Sequence, residues 1–190
     1  MKIGVLAVQG DFEAHGKTLE RLGVHPSFVR RASDMESLQG IILPGGESTT
    51  QWKFLQAEGL DRALCQGAAD GMAIFGTCAG AILLAKEVRN PEQDSLGLLD
   101  VALSRNGYGR QVDSDVRFGE SKLSAEALEM VFIRAPIFEE LGPGVKVLAE
   151  NEGKPVMVQQ GNVLASTFHP ELTGDSTVHE YFLKLAGNQS

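Results

Sequence analysis

The sequence predicts an α/β protein: a three-layer sandwich in which a mostly parallel central sheet is flanked by helices. Three observations carry that expectation. In the first half, short apolar runs alternate with segments of helical period. Each run is apolar at successive positions rather than at every second one, as strands are when a parallel sheet is covered on both faces. The 190 residues, 43% apolar and 22% charged, suffice for one core without a disulfide or metal staple. No repeat, low-complexity tract or linker divides them, so residues 1–190 read as a single domain.

The first apolar run, Ile3 to Val8, ends at Gln9-Gly10-Asp11. Asp11 is placed to cap a helix that carries Phe12, Leu19 and Leu22 on one face and stops at Gly23. Pro26 to Arg30 reads as a second strand, and Gly40 to Leu43 as a third that ends in Pro44-Gly45-Gly46. Ser48 and Gln51 have capping-box spacing, so a helix is expected just after the glycines, with a further helical piece over Gly59 to Cys65. Met72 to Phe75 is another buried strand, followed by Gly76-Thr77-Cys78-Ala79-Gly80 and a helix over Ala81 to Glu87. The second half changes character. Val101 to Leu103, Val131 to Ile133 and Val145 to Leu148 look like strands, and Asn151-Glu152-Gly153 reads as a hairpin turn before Pro155 to Val158. Leu164 to Phe168 is one more strand, and a C-terminal helix runs over Ser176 to Leu185; Asp115 to Met130 has no clear signature.

Composition excludes several classes. The net charge of −8, from 25 acidic and 17 basic residues, argues against nucleic-acid and anionic-membrane binding, which need a positive field. Cys65 and Cys78 form no CxxC pair, so neither a disulfide framework nor a cysteine-only zinc site is expected. The apolar stretch before Gln9 has six residues, too short for a signal peptide or a membrane span, and the expected compartment is the reducing cytosol.

Three segments carry candidate chemistry. Cys78 stands between an apolar strand and a helix, with glycines two positions to either side, the pattern of a nucleophile elbow. A helix N-terminus favours a thiolate, and its free amides, Ala79 first, are available to an oxyanion. A buried structural cysteine is the competing reading, which the Gly-x-Cys-x-Gly context outweighs; Cys65 lacks that context and is assigned to packing. His169 and Glu171 follow the strand at Leu164, where extended backbone points residues two apart the same way; His169 is then a candidate base and Glu171 its orienter. Alone, His-Pro-Glu is too short a signal, and the reading as an exposed strand end outweighs it. It is not read as a metal site, because no further His or Cys cluster joins it; His15, His25 and His179 are scattered and read as surface or packing residues. Pro44-Gly45-Gly46-Glu47-Ser48 lets backbone amides approach a ligand: Gly46 is a candidate second oxyanion donor and Glu47 a candidate partner for a substrate ammonium. The spacing is not that of a phosphate loop. Arg105 and Arg134 are suited to a substrate carboxylate.

Together, Pro44-Gly45-Gly46, Gly76-Thr77-Cys78-Ala79-Gly80 and His169-Pro170-Glu171 resemble, in kind and order, the three signatures of class I (triad) glutamine amidotransferases, a flavodoxin-like fold. LAVQGDFEAH, LPGGESTT, FGTCAG, RNGYGRQVDS, FIRAP and FHPELTGDSTVHEYF narrow the resemblance to the PdxT/SNO family of glutaminase subunits of pyridoxal 5′-phosphate synthase, from Lys2 to about Leu185. The resemblance implies hydrolysis of L-glutamine to glutamate and ammonia, with the ammonia passed to a separate synthase subunit (PdxS/SNZ type) in a hetero-oligomer. It implies Cys78 as nucleophile, His169 as base, Glu171 as orienter, and glutamine held by Gly46, Glu47, Ser48, Arg105, Ile133 and Arg134, with no cofactor and no metal. Ala81 departs from the larger apolar residue usual after Cys-Ala-Gly. The rival readings are another Cys-His-Glu amide hydrolase or peptidase, and a non-catalytic regulatory subunit of the same fold.

Overall fold

β1 (Ile3–Leu6), β3 (Gly40–Leu43), β4 (Ala73–Thr77) and β12 (Val163–Ser166) are buried at every position, as their apolar runs require. The computed structural model describes residues 1–105 and 114–188. Within them β2 (Ser27–Val29), β7 (Asp115–Ser121), β8 (Leu128–Phe132), β10 (Lys146–Asn151) and β11 (Lys154–Gln160) complete one nine-stranded sheet, in the order β2-β1-β3-β4-β12-β11-β10-β7-β8. The part of RNGYGRQVDS from Asn106 to Asp113 lies outside the described residues.

The sheet is mixed rather than mostly parallel. β2, β1, β3, β4 and β12 pair in parallel, whereas β12, β11, β10, β7 and β8 pair antiparallel. The cause is local. β10 and β11 are joined by Glu152-Gly153, both at positive φ (52° and 73°), the two-residue turn that fits the twist of a hairpin and forbids a parallel return. Asp115 to Met130, without a signature in the sequence, supplies β7 and the start of β8 at one edge of this sheet. β7 alternates half-buried and exposed positions, so its pattern is diluted by an outward face carrying Val116 and Phe118.

Successive residues of the central strands serve opposite layers. Ile41 and Leu43 join a core with Leu55 of α2 (Ser48–Ala57), Leu60 and Leu64 of α3 (Leu60–Ala69), and Ala81 to Leu84 of α4 (Ala79–Leu84). Ile42 joins the other core, with Leu19 of α1 (Phe12–Arg21) and Val178 and Phe182 of α5 (Thr177–Gly187). The helical layers expected on both faces are therefore present. The first core is closed by a small sheet of β5 (Ala85–Arg89), β6 (Leu99–Ser104) and β9 (Ile137–Leu141).

β5 corrects the expected helix over Ala81 to Glu87. The helix stops at Leu84, and Ala85 to Arg89 pair with β6 instead; strand pairing overrides the helical propensity of this Ala- and Leu-rich stretch. Two caps also differ. Glu47, not Ser48, caps α2, accepting from the Thr49 and Thr50 amides at 3.0 and 2.7 Å. Asp11 holds the N-cap position of α1 without a side-chain cap bond.

Candidate active site

β4 ends at Thr77 and α4 begins at Ala79, so Cys78 alone makes the turn between them, at φ 49° and ψ −101°. Such backbone costs a side-chain-bearing residue about 1–3 kcal/mol and persists only where its surroundings hold it. Here the Cys78 amide donates to the Ser166 carbonyl at 2.8 Å, and its own carbonyl accepts from the Ile82 amide at 3.2 Å. The flanking glycines are a steric requirement. A Cβ on Gly76 would strike the Gly80 backbone, and one on Gly80 would strike the Leu43 carbonyl. The elbow expected from Gly-x-Cys-x-Gly is present, and the Ala79 amide, first in α4, has no carbonyl of its own helix to meet.

His169 reaches the elbow because β12 lies beside β4, with Ser166 opposite Thr77. The strand ends at Ser166, earlier than the expected Phe168. The His169 amide then donates to the Val131 carbonyl at 2.8 Å, and Pro170 to Leu172 form a 3-10 turn. Glu171 is thus carried on that turn rather than on a continuation of the strand, and His169 Nδ1 and Glu171 Oε1 are 2.7 Å apart. Both side chains are buried. Burial is the strongest single influence on the imidazole and lowers its pKa; the contacts with Cys78 and Glu171 together outweigh it and raise the ring to about 10. Burial pushes the Glu171 carboxyl up, and His169 pulls it back. The arrangement stabilises an imidazolium between a sulfur and a carboxylate.

Asp11 is a functional candidate that the sequence reading missed. Its Oδ2 lies 3.6 Å from His169 Nδ1, a second acid beside the ring. A cation held by Asp11, His169 and Glu171, whose ligand atoms lie within 4.8 Å of one another, would have to take Nδ1 from its 2.7 Å bond. The Asp11 amide also donates to the Gly45 carbonyl at 3.3 Å, and Gln9 Oε1 accepts the Glu47 amide at 2.8 Å. The signal was available: Gln9-Gly10-Asp11 follows the carboxyl end of a parallel strand, where open α/β sheets build their sites.

The glycine loop lies directly on the imidazole. A Cβ on Gly45 would strike His169 Cε1, so only glycine allows this approach. Gly45→Ala is therefore expected to displace the ring and lower kcat for amide hydrolysis by on the order of a hundredfold. Unchanged kcat in a folded variant would contradict the packing.

The remaining candidates fall near the site with altered roles. The Glu47 carboxylate, expected to meet an ammonium, is engaged by the α2 amides, by Thr50 Oγ1 at 2.7 Å and by Arg105 Nη2 at 3.3 Å. Burial raises its pKa, but the bonds from Thr49 and Thr50 outweigh it and lower the value to about 2. Ser48 is buried and donates its hydroxyl to Gln93 Oε1 at 2.8 Å. The Ile133 carbonyl lies 3.9 Å from Cys78 Sγ, and Arg134, exposed, takes φ 43°. Gly46 stands at the exposed lip of the loop.

His15 and His179, read as surface or packing residues, are fully buried and joined Nδ1 to Nε2 at 2.9 Å; His25 is exposed. Burial, then the proximity of His179 and of His169, holds His15 well below the usual histidine value; burial and Arg21 lower His179 to about 4. A ring whose pKa is lower folded than unfolded takes up protons on unfolding. Its contribution is whole above pH 6.5 and drains as pH falls toward 4; His179 alone accounts for about 3 kcal/mol across that window. His169 has the opposite sign: its contribution is whole below pH 6.5 and is lost as pH climbs through about 10. Urea unfolding is expected to show falling stability from pH 6.5 to 4, with a flatter slope in His179→Gln. An unchanged slope in that variant would contradict the assignment.

Comparison with known proteins gives concordant results. The family model of the SNO glutamine amidotransferase family matches residues 5–187. The pyridoxal 5′-phosphate synthase subunit PdxT of Koribacter versatilis is 52% identical over 188 residues, covering 99% of this chain and 97% of that protein. The PdxT subunit of Thermus thermophilus is 52% identical over 190 residues, covering 97% of each. Among solved structures, a glutamine amidotransferase superposes with a TM-score of 0.93 at 49% identity, covering 97% of this chain and 98% of that one. PurLQS from Thermotoga maritima, at 19% identity and a TM-score of 0.70, shares the fold over 96% of this chain and 97% of its own. No helix among the described residues is long and apolar enough to cross a membrane.

Proposed function

The chain belongs to the SNO glutamine amidotransferase family, and from that premise we propose that Cys78, His169 and Glu171 form the triad through which it hydrolyses L-glutamine. The protein is a glutamine-hydrolysing enzyme whose ammonia supplies pyridoxal 5′-phosphate synthesis. The observation that carries the triad is the cysteine at positive φ on a helix start, beside an imidazole held at 2.7 Å by a buried carboxylate. No observation favours a peptidase or a non-catalytic subunit. Residues 1–190 act as one glutaminase domain, since both apolar cores share the central sheet.

The Cys78 thiolate attacks the amide carbon of glutamine. The amides of Gly46 and Ala79 receive the oxyanion, and each donor is worth about 3 kcal/mol of barrier. His169 gives a proton to the departing ammonia, leaving a glutamyl thioester, and then takes one from the water that releases glutamate. Glu171 holds Nδ1–H, so that Nε2 faces the sulfur in the right tautomer. Gly46, Glu47 and Ser48 line the glutamine site with Arg105, Ile133 and Arg134, and the two guanidinium groups suit the α-carboxylate. Because the Glu47 carboxylate caps α2 and meets Arg105, its part is to set the loop and Arg105. No cofactor or metal enters these steps.

Ammonia released into water at neutral pH is largely protonated and loses its nucleophilicity. A separate synthase subunit docked over the mouth of the site, in a hetero-oligomer, shields the transfer; that is the partner we assign, with no role for nucleic acid or membrane. A reducing cytosol suits an enzyme whose nucleophile is a free thiol and whose second cysteine is exposed. Glutamate release from free glutamine, assayed with and without a synthase subunit, tests the reading. Turnover that rises with the subunit supports it, and inertness to glutamine under both conditions overturns it.

A further inference from the structure

Two buried histidines stand behind the triad and take no part in the steps above. His15 lies on α1, one turn beyond Asp11. Its Nδ1 is 2.9 Å from His179 Nε2, and its Nε2 is 3.1 Å from Thr77 Oγ1 and 3.4 Å from Glu171 Oε2. Glu171 Oε2 and His179 Nδ1 are both buried without a well-formed hydrogen bond.

Two placements of the ring protons fit these distances, and their costs differ. With the proton on His15 Nδ1, the ring donates to His179 Nε2. His179 must then carry its own proton on Nδ1, a buried donor with no acceptor, and Glu171 Oε2 faces a bare nitrogen lone pair. With the proton on His15 Nε2, the ring donates toward Thr77 Oγ1 and Glu171 Oε2, and His179 Nε2–H donates to His15 Nδ1. The only nitrogen then left over is an acceptor, and the second carboxylate oxygen faces an N–H at 3.4 Å instead of a lone pair. A buried orphan donor and a carboxylate oxygen set against a lone pair both carry a desolvation cost, so the second placement prevails.

We propose that His15, locked as the Nε2–H tautomer by His179, is a positioning residue that fixes the Glu171 carboxylate from the side opposite His169. The inference rests on the reading of Cys78, His169 and Glu171 as the triad. It extends the hydrogen-bonded line inward: His179 orders His15, His15 orders Glu171, and Glu171 orders His169. With Oε1 bonded to His169 at 2.7 Å and Oε2 facing the His15 N–H at 3.4 Å, the carboxylate is restrained from swinging away from Nδ1, and the imidazole keeps its aim at the sulfur.

Nitrogen-15 spectra of the histidine rings in the wild-type protein give the first test, free of any folding defect. His15 is expected with Nε2 protonated and Nδ1 bare; the reverse tautomer overturns the proposal. Three variants give the second. His15→Gln places an amide nitrogen near Nε2, His15→Asn places one near Nδ1, and His15→Leu removes both. His15→Asn and His15→Leu are expected to lose roughly ten- to a hundredfold in kcat with the glutamine KM within about twofold, while His15→Gln stays within about threefold of wild type. Wild-type kcat in His15→Asn, or equal losses in His15→Gln and His15→Asn, overturns the proposal. The latter two are both polar, so they decide the matter even if His15→Leu does not fold. Cys78→Ala, run alongside, keeps the two readings apart: its activity bears on the triad, and the His15 series bears on the positioning.

Discussion

Cys78→Ala is expected to lower glutamine hydrolysis by on the order of 10⁶-fold while the protein stays folded. The reaction needs a nucleophile that leaves a covalent acyl group, and among the described residues Cys78 alone makes the turn between β4 and α4. The proposed oxyanion donors, the amides of Ala79 and Gly46, survive the substitution, so the residual rate is expected to be the part that oxyanion stabilisation and binding supply without covalent catalysis. The backbone bonds that hold the elbow, from the Cys78 amide and to its carbonyl, do not involve the sulfur, whose polar contacts are with the His169 ring and with the Ile133 carbonyl at 3.9 Å. Alanine is no more strained at φ 49° than cysteine, so stability is expected to move by less than about 1 kcal/mol. Glutamate release measured against a far-UV spectrum and a melting curve checks both halves. Turnover within about tenfold of wild type would contradict the covalent step.

Glu171→Gln is expected to cost on the order of 10³–10⁴ in kcat, with a much smaller effect on KM. The substitution keeps the volume of the buried side chain and removes its charge. If the amide nitrogen turns to His169, Nδ1 must accept and Nε2 takes the proton, so the ring cannot take one from the thiol. If the amide oxygen turns to it, the tautomer survives but the imidazolium loses its counter-charge. Both outcomes remove an interaction that matters most when the ring is charged, which is why kcat carries the loss. The contact with Glu171 is one of those that raise the ring to about 10, so the variant's imidazole is also expected to titrate nearer its ordinary value of 6.5. Steady-state kinetics with a pH titration of the ring tests this. A kcat within tenfold of wild type would mean that Asp11, 3.6 Å from Nδ1, does the orienting instead.

The parallel half of the fold was legible in the sequence, and the antiparallel half only in part. β1, β3, β4 and β12 are apolar at every position because both faces are covered, and such runs stand out. β7 exposes every second residue, so its pattern is no stronger than that of a loop. β5 was masked by helix-forming residues whose pairing with β6 is a tertiary matter. At the site, Cys78 was readable because an elbow demands small neighbours at fixed spacing. His169 and Glu171 were readable as a pair, but for a different geometric reason than the one that joins them. Asp11, Gln9 and His15 were missed because a carboxylate, an amide and an imidazole in a first βα segment carry no spacing rule. Only the sheet, by placing the ends of β1, β3, β4 and β12 side by side, brings them to the cysteine.

Of the two thiols in the chain, that of Cys78 is the proposed nucleophile, and Cys65 is its built-in control. Cys65 is exposed and Cys78 is buried, so a reagent that selects by accessibility labels Cys65 first. A glutamine-shaped chloroketone, followed by peptide mapping, is expected to label Cys78 in step with loss of glutaminase activity, and free glutamine is expected to slow both. Labelling of Cys65 with Cys78 untouched and activity lost, or full labelling of Cys78 with activity retained, would contradict the account.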